Sequence, residues 1–190
     1  MKKVFIDGSE GTTGLRIHER LAERSDIEIL KIDSEKRKDP EEIRKFINAS
    51  DITFLCLPDA AAKEAVTLCD NPDTVIIDAS TAHRTEPGWA YGFPELSEEH
   101  RQAIAKSKRI AVPGCYASGF IALAYPLVNG GILPADYPCA ITAVSGYSGG
   151  GKKLIAAYEE EGREDKFDSA RMYAWGQSHK HLKEMKFITG

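Results

Sequence analysis

A cysteine on a tight turn is the residue of this sequence best suited to covalent chemistry. Cys115 lies in the segment Pro-Gly-Cys-Tyr-Ala-Ser of residues 113–118, after the short β-branched run 109–112. Residues 120–125 are dense in helix formers, which predicts that Cys115 lies at or near a helix N terminus. Helix N termini stabilise thiolates, and the thiolate is the reactive form. The pattern indicates a nucleophile. The alternative, a small apolar residue that caps a core helix, fits this peptide equally well.

A glycine-rich segment near the start predicts a phosphate-binding loop. Residues 3–7 form a short apolar run, three glycines follow with the spacing Gly-x-x-Gly-x-x-Gly, and residues 15–22 have helical periodicity. Strand, glycine turn and helix in this order place backbone N–H groups where a pyrophosphate would bind. A glycine-rich turn without a ligand is the alternative. The residues predicted to contact a dinucleotide are Gly8, Ser9, Gly11, Thr12, Thr13 and Gly14, and those predicted to face the sheet are Leu15, Ile17, Leu21 and Ala22.

Strands and helices continue to alternate through the first half of the chain. We predict strands at residues 27–32, 52–57 and 74–78, and helices at 40–48 and 60–68. Asp39 and Asp59 are predicted to cap the two helices. Repeated strand and helix predict an α/β fold, a Rossmann-type doubly wound parallel sheet covered on both faces.

The residues after the second strand bear on the choice of cofactor. Asp33 falls 19 residues after Gly14, near the position from which an acidic side chain would hold a ribose 2′-hydroxyl. Ser34 and the basic run 36–38 follow at once, and such groups could instead hold a 2′-phosphate. The sequence leaves NAD and NADP both open, with a weak preference for NADP.

Composition restricts the class of protein. The 190 residues are 42% hydrophobic and 28% charged with a formal net charge of −4, as in ordinary soluble globular proteins. No apolar run is long enough for a signal peptide or a membrane span, so we expect a cytoplasmic protein with no membrane partner. The one basic cluster, 36–38, is flanked by acidic residues, and we expect no nucleic-acid partner. Four widely spaced cysteines indicate a reducing compartment and no bound metal, with Cys56 inside a strand and Cys139 at the start of another.

Five motifs together carry a family resemblance. The segments 78–84 (Asp-Ala-Ser-Thr-Ala-His-Arg), 91–96 (Tyr-Gly-Phe-Pro-Glu-Leu) and 113–116 (Pro-Gly-Cys-Tyr) closely resemble N-acetyl-γ-glutamyl-phosphate reductase in the shorter of its two types. Residues 145–151 are similar to its Ser-Gly-x-Ser-Gly-x-Gly loop, and residues 179–184 to its His-x-His-x-x-Glu segment. The resemblance runs from Lys3 to the last residue, and several such motifs in the same order make it specific.

The resemblance implies a reaction and a role for each motif. The family reduces N-acetyl-γ-glutamyl phosphate with NADPH to N-acetyl-glutamate 5-semialdehyde and phosphate, in arginine biosynthesis. Cys115 would form a thioester with the acyl group, and His181 would be the base, with Glu184 holding its ring and His179 as the second candidate. The other implied contacts are Ser80 with the cofactor, and Arg84, Ser145, Gly146, Ser148 and His179 with the small-molecule acyl-phosphate substrate, Arg84 as a bidentate clamp or, alternatively, as a surface arginine.

The resemblance also implies a division of the chain. We expect an NAD(P)-binding domain at residues 1–114 and the beginning of an α+β catalytic domain at 115–190, in a homo-oligomer. The family is longer than this chain, and residues 187–189 predict a strand that has just begun. Two alternative functions remain: a related semialdehyde dehydrogenase of the aspartate or amino-adipyl type, and a cofactor-binding remnant without catalysis.

Overall fold

A parallel six-stranded sheet forms the centre of the protein. The structure is a computed structural model that describes residues 1–9, 11–172 and 176–190, so Glu10 of the glycine segment and residues 173–175 lie outside the described residues. The strand order is β2-β1-β3-β4-β6-β5, and all neighbouring strands are parallel. The strands are β1 (Lys2–Asp7), β2 (Ile27–Leu30), β3 (Ile52–Leu55), β4 (Val75–Asp78), β5 (Ala90–Tyr91) and β6 (Arg109–Ala111).

Helices join most of these strands and continue after the last one. The α-helices are α1 (Thr12–Ala22), α2 (Pro40–Ala49), α3 (Asp59–Thr67), α4 (Glu98–Lys106), α5 (Cys115–Asn129), α6 (Gly151–Glu159) and α7 (Lys180–Thr189). Successive residues of β1, Val4 to Asp7, are all buried, which shows that both faces of the sheet are covered. The predicted Rossmann-type parallel sheet is confirmed, and each predicted strand and helix of residues 1–78 is present within a few residues of its expected bounds.

The strand order sets the position of the ligand crevice. The chain passes from β1 to β2 on one side and then crosses over β1 to β3 on the other. Right-handed crossovers on opposite sides of β1 put their helices on opposite faces and leave a crevice at the carboxyl ends of β1 and β3. The glycine segment begins at this crevice, because Gly8 directly follows β1.

The structure confirms one predicted helix cap and corrects two other predictions about the helices. Asp39 caps α2 as predicted, since its carboxylate accepts a hydrogen bond from the Glu41 backbone N–H at 2.9 Å. Asp59, in contrast, is the first residue of α3 and not its cap, and its carboxylate accepts hydrogen bonds from Thr81. Leu15 and Ala22 are also wrong as sheet-facing residues, because both are exposed, Leu15 by 47%, while Gly14 is buried. Gly14 has no side chain, so the start of α1 can pack closely against the backbone of Gly8 and Ser9.

The last 76 residues, 115–190, consist of helices joined by irregular segments, with no strand in the part that the structure describes. Helices α5 and α7 pack against each other through a cluster that includes Ile121 and Met185. Cys139 lies in an irregular segment, so the strand predicted to start there is not formed. Residues 187–189 belong to α7 and not to a strand, because Ile188 packs with the buried Met185 on the α5-facing side of that helix. No helix in the described ranges is long and apolar enough to cross a membrane.

Candidate active site

Cys115 is the first residue of α5. The chain leaves β6 at Ala111, passes through residues 112–114, which we call the cysteine turn, and enters the helix with Gly114 as N-cap. Cys115 is exposed, while Gly114 before it and Ala117 after it are buried. The predicted location at a helix N terminus is therefore confirmed, and the thiol lies where the positive end of the helix dipole favours an anion.

The side chain of His181 lies directly behind the cysteine turn. A Cβ atom added to Gly114 would overlap Nε2 of His181 and Nη1 of Arg84, so only glycine fits at this position without displacing one of them. The His181 ring also contacts the ring of Tyr116, with centroids 5.8 Å apart. His181 therefore contacts both chain neighbours of Cys115, although it follows the cysteine by 66 residues.

Glu184 does not hold the His181 ring, which corrects the sequence prediction. Its Oε1 accepts hydrogen bonds from the Tyr91 hydroxyl at 2.7 Å and from the Gly114 backbone N–H at 2.8 Å. Its Oε2 accepts a hydrogen bond from Nη1 of Arg84 at 3.0 Å. Since three donors fix the carboxylate, Nδ1 of His181 is left buried without a hydrogen-bond partner in the part of the chain that is described. We call Glu184 and its three donors, Tyr91, Arg84 and the Gly114 N–H, the Glu184 network.

Arg84 is a buried member of this network, which corrects its assignment as a substrate clamp. Besides its bond to Glu184, its Nε donates to the Val112 carbonyl at 2.8 Å and its Nη2 to the Ala79 carbonyl at 3.3 Å. Each nitrogen of the guanidinium already has a protein acceptor, and the residue is 9% exposed. The guanidinium thus ties the loop after β4 to the cysteine turn and to α7.

Burial controls the protonation of His181. The ring is 6% exposed, and this desolvation lowers the pKa of His181 from 6.5 to about 4, against the opposing effect of the Glu184 carboxylate and with a smaller contribution from the Arg84 charge. At pH 7 the imidazole is therefore neutral and keeps one nitrogen lone pair that can accept a proton.

His179, two residues earlier, has a different environment. It is the N-cap of α7, and its Nδ1 accepts a hydrogen bond from the His181 backbone N–H at 3.2 Å. An imidazole nitrogen that accepts a hydrogen bond carries no proton, so the neutral His179 ring has its proton on Nε2. The ring also meets the ring of Tyr116 edge to face. Nδ1 of His179 is thus occupied by the start of α7, and the choice between His179 and His181 as base stays a prediction.

A cavity opens beside Cys115. Its volume is about 780 Å³, and its wall is formed by one side of α5 and by the segment 139–149. Ser145, Gly146 and Ser148 of the predicted anion loop line the same cavity as Cys115, so the structure brings these residues together. Much of the outer wall is apolar and open, since Leu123 is 73% and Val144 is 99% exposed.

The glycine segment forms the predicted cradle at the carboxyl end of β1. Gly8 has a positive φ of 81°, and a Cβ atom there would overlap the carbonyl oxygen of Cys56 at the end of β3. A Cβ on Gly14 would overlap the carbonyl oxygen of Gly8. Gly11 is the N-cap of α1, with Thr12 and Thr13 as the first residues of the helix, so their backbone N–H groups point towards the crevice. The backbone-only surface and the helix N terminus fit a pyrophosphate.

Two buried acids, Asp7 and Asp78, lie close to the thiol of Cys56 at this end of the sheet. Asp7 is 7% exposed, and its Oδ2 has no hydrogen-bond partner among the residues described. Burial raises the pKa of Asp7 from 3.8 to about 6, against a hydrogen bond from the Gly8 backbone. Burial, together with the charges of Asp7 and Asp78, raises the pKa of the Cys56 thiol to about 12. Cys56 is therefore an unreactive thiol.

The other predicted cofactor residues lie at the ends of β2 and β4. Asp33 and Ser34 are exposed after β2, where Asp33 accepts a hydrogen bond from the Glu35 N–H at 3.0 Å. Ser80 is buried, and its hydroxyl donates to Asp78 at 2.7 Å. Asp78 also bonds Nδ1 of His83 at 2.6 Å, so the Ser80 hydroxyl is part of an internal bond that shapes the loop after β4.

Tyr91 is the residue of the site that the sequence prediction missed. In the sequence analysis the segment 91–96 was only one motif of the resemblance and Tyr91 had no role, whereas its hydroxyl reaches the Glu184 carboxylate across 93 positions of sequence. Its burial and its bond to Glu184 raise the pKa of Tyr91 far above the usual value, so the hydroxyl keeps its proton. The signal available in the sequence was a tyrosine at the end of a strand, because a buried tyrosine hydroxyl usually has a hydrogen-bond partner. In the described ranges, no group of three His, Cys, Asp or Glu side chains is arranged to hold a metal ion.

Comparison with known families identifies the class of protein that has this fold and this site. Residues 3–104 match the family described as "Semialdehyde dehydrogenase, NAD binding domain", and residues 115–190 match "Semialdehyde dehydrogenase, dimerisation domain". The first match covers more than half of the chain. The chain belongs to the semialdehyde dehydrogenase family.

The curated relatives narrow the likeness further. The chain is 53% identical over 186 residues to N-acetyl-gamma-glutamyl-phosphate reductase of Chelativorans sp. (strain BNC1), a match that covers 97% of this chain and 59% of that relative. It is 52% identical over 187 residues to N-acetyl-gamma-glutamyl-phosphate reductase 2 of Pseudomonas putida, with 98% of this chain and 59% of the relative covered. The chain thus spans about three fifths of the length of these relatives.

Solved structures show the same fold at low sequence identity. Aspartate semialdehyde dehydrogenase II from Vibrio cholerae superposes with a TM-score of 0.62 at 14% identity, over 100% of this chain and 66% of that one. Aspartate semialdehyde dehydrogenase from Francisella tularensis superposes with a TM-score of 0.57 at 18% identity, over 83% of this chain and 48% of the other. At these sequence identities the likeness shows a shared fold and nothing further.

Proposed function

We propose that this chain carries the nucleophile and the cofactor site of an NADPH-dependent acyl-phosphate reductase that converts N-acetyl-γ-glutamyl phosphate to N-acetyl-glutamate 5-semialdehyde and phosphate, in arginine biosynthesis. The relatives at about half identity carry that name. The observation that supports the chemistry best is the exposed thiol of Cys115 at the start of α5, facing a cavity and backed by a neutral imidazole.

The covalent step begins at Cys115. The thiolate sulfur attacks the acyl carbon, the C–S bond forms, and the bond from that carbon to the phosphate oxygen breaks, so that inorganic phosphate leaves. The acyl group remains on Cys115 as a thioester. The N-terminal end of α5 favours the anionic sulfur, because the backbone N–H groups of the first turn point towards it.

His181 is the proposed base, and His179 is a proposed substrate contact. The neutral ring of His181 can accept the thiol proton as the C–S bond forms. It would keep this proton until the thioester carbonyl is reduced and then give it to the oxygen of the reduced carbon. The hydroxyls of Ser145 and Ser148 can donate hydrogen bonds to an anionic substrate group, and His179 at the start of α7 is a further proposed contact of the substrate.

The glycine cradle is the proposed cofactor site. Gly8, Gly11 and Gly14 leave room for a pyrophosphate, whose charge the N terminus of α1 would favour. Bound NADPH would supply the hydride that reduces the thioester carbonyl. The basic run 36–38 and Ser34 lie just after β2, and we propose that they favour a 2′-phosphate.

The chemistry is tested most simply in the reverse direction. The protein is incubated with N-acetyl-glutamate 5-semialdehyde, phosphate and NADP, and the absorbance of the reduced nicotinamide is followed. Wild-type protein and Cys139→Ser, which alters another cysteine of the same cavity, are expected to turn over, while Cys115→Ser is expected to show no turnover. Equal rates for wild type and Cys115→Ser would refute the assignment of the nucleophile.

A second candidate is a cofactor-binding protein without catalysis. The observation that favours it is the open apolar wall of the cavity. Water can enter such an open site, and water would hydrolyse a thioester intermediate. A fluorescence titration with NADPH separates the two proposals, because binding without turnover in either direction would support the second. The same titration with NADH tests the cofactor preference, and tenfold tighter binding of NADH would reverse it.

We also propose a domain boundary between residues 114 and 115 and a homo-oligomeric assembly. The family matches end at residue 104 and resume at residue 115, and the second of them is described as a dimerisation domain. Sedimentation of the purified chain tests the assembly: a single species of 20.9 kDa at all concentrations would contradict it.

A further inference from the structure

The Glu184 network connects three separate parts of the chain beside the nucleophile. Tyr91 comes from the end of β5, Arg84 from the loop after β4, and Gly114 from the cysteine turn, while Glu184 itself is on α7. The carboxylate is 2% exposed. A buried carboxylate with several donors has one stable position, because any rotation would leave a donor and an oxygen unpaired.

The carboxylate controls how the chain enters α5. Gly114 is the N-cap and has no side chain, so it cannot cap the helix itself. Its backbone N–H, which lies just before the first turn, instead donates to Oε1 of Glu184. The direction of the peptide between Pro113 and Gly114, the last one before Cys115 begins the helix, therefore depends on where Oε1 is held, and the position of the thiol follows from it.

Tyr91 holds that oxygen. Arg84 binds the other oxygen and is anchored to the carbonyl groups of Val112 and Ala79 as well, so it fixes Oε2. The Tyr91 hydroxyl donates to Oε1, the same atom that accepts from Gly114. Its ring is packed with Ala117 and Ile121 of α5, so the hydroxyl is aimed by the helix that it helps to position.

We propose that Tyr91 is a positioning residue for Cys115. Its hydroxyl orients the Glu184 carboxylate, the carboxylate fixes the Gly114 N–H, and the first turn of α5 thereby presents the thiol at the helix N terminus next to His181. The proposal rests on the assigned role of Cys115 as nucleophile. It concerns the reactivity of the thiol and needs neither substrate nor cofactor to be tested.

The test is the pH dependence of thiol alkylation in the whole chain. Protein is treated with iodoacetamide between pH 5 and 10, and the rates at Cys115 and Cys139 are measured separately by peptide mass spectrometry. Both cysteines are exposed, so Cys139 is an internal reference. The variant is Tyr91→Phe, which removes only the hydroxyl, and the matched control is Tyr125→Phe, the same change on α5 at a ring that packs against His100.

Tyr91→Phe is expected to slow alkylation of Cys115 at pH 7 by about twofold to fivefold and to change the pH profile of that rate, because a loosened first turn no longer holds the thiol in one position at the helix N terminus. The rate at Cys139 stays unchanged, and Tyr125→Phe behaves as wild type. An unchanged Cys115 profile in Tyr91→Phe would overturn the proposal. So would equal slowing at Cys115 and Cys139, which indicates a general effect on the fold.

A double-variant cycle tests whether Tyr91 acts through Glu184. Glu184→Ala is expected to slow Cys115 at least as much as Tyr91→Phe, and the double variant is expected to match Glu184→Ala alone. Additive effects would show that the hydroxyl acts independently and would refute the proposed route. If Glu184→Ala does not fold, as judged by circular dichroism, Glu184→Gln takes its place, since the amide oxygen can still accept from Gly114. The cycle then expects partial slowing, again without additivity.

If the reductase assay fails while Cys115 shows the Tyr91-dependent profile, the proposed function is wrong and the positioning role stands. If turnover is normal and Tyr91→Phe leaves the Cys115 profile unchanged, the positioning role is wrong and the proposed function stands. The two proposals therefore fail separately.

Discussion

Asp7→Asn tests the electrostatics beneath the glycine cradle. Asp7 is 7% exposed, and burial raises its pKa from 3.8 to about 6. Above pH 6 the folded protein must hold a buried charge that the unfolded chain hydrates freely. Ionised Asp7 therefore destabilises the fold, and the neutral asparagine of the same shape removes that cost.

The size of the effect follows from linkage. A shift of this extent at about 1.4 kcal/mol per pKa unit costs the wild type about 3 kcal/mol at pH 8. At pH 4.5 folded Asp7 is protonated while unfolded aspartate is mostly ionised, and the cost falls to about 1 kcal/mol. The free-energy gain from Asp7→Asn should thus be about 2 kcal/mol larger at pH 8 than at pH 4.5. The new amide adds a pH-independent cost of about 1 to 3 kcal/mol, which cancels in this difference.

The assay is urea unfolding of wild type and variant at both pH values, followed by circular dichroism. Asp136→Asn is the matched control, because Asp136 is exposed, and its effect on the unfolding free energy should be the same at pH 8 and pH 4.5. If Asp7→Asn changes the free energy of unfolding equally at both pH values, or stabilises more at pH 4.5, then Asp7 does not carry a destabilising buried charge at pH 8.

Two further variants test the surroundings of Cys115. Gly114→Ala should lower the free energy of unfolding by about 1 to 3 kcal/mol in urea unfolding and slow Cys115 alkylation, since its methyl group would displace His181 or Arg84. Gly119→Ala on the same helix, where a methyl meets no heavy atom of the described residues within 4 Å, should stabilise by about 0.5 to 1 kcal/mol, and equal effects of the two would contradict the contact. The pKa of about 4 at His181 implies stability that is present above pH 6.5 and is lost as pH falls from there towards 4, by about 2.5 kcal/mol at pH 4.5. Urea unfolding of His181→Asn should show this acid loss abolished, whereas an unchanged loss would show that the ring is not held neutral by burial.

Periodicity was sufficient to predict the first half of the fold. Strands β1 to β4 and helices α1 to α3 follow from apolar runs separated by turn residues, and Asp39 with a following proline marks the start of α2. Cys115 at a helix start was also readable, because the Pro-Gly turn and the run of helix formers are adjacent in sequence.

The wrong predictions concern residues whose structure is determined by contacts with residues far away in the sequence. The β-branched run 187–189 favours a strand locally, but packing of α7 against α5 through Met185 and Ile188 keeps it helical. Glu184 is one helical turn from His181, which predicted a contact between them. Its carboxylate instead turns to donors that lie 70 to 100 positions earlier in the chain, and no local pattern records those partners.

The central claim is that Cys115 accepts the acyl group. The protein is incubated with N-acetyl-γ-glutamyl phosphate in the absence of a nicotinamide, digested and examined by mass spectrometry. We expect one N-acetyl-glutamyl group on the peptide that contains Cys115, removed by hydroxylamine as a thioester should be, and no such group in Cys115→Ser. An adduct of equal yield on Cys139, or no hydroxylamine-sensitive adduct in the wild type, would contradict the account.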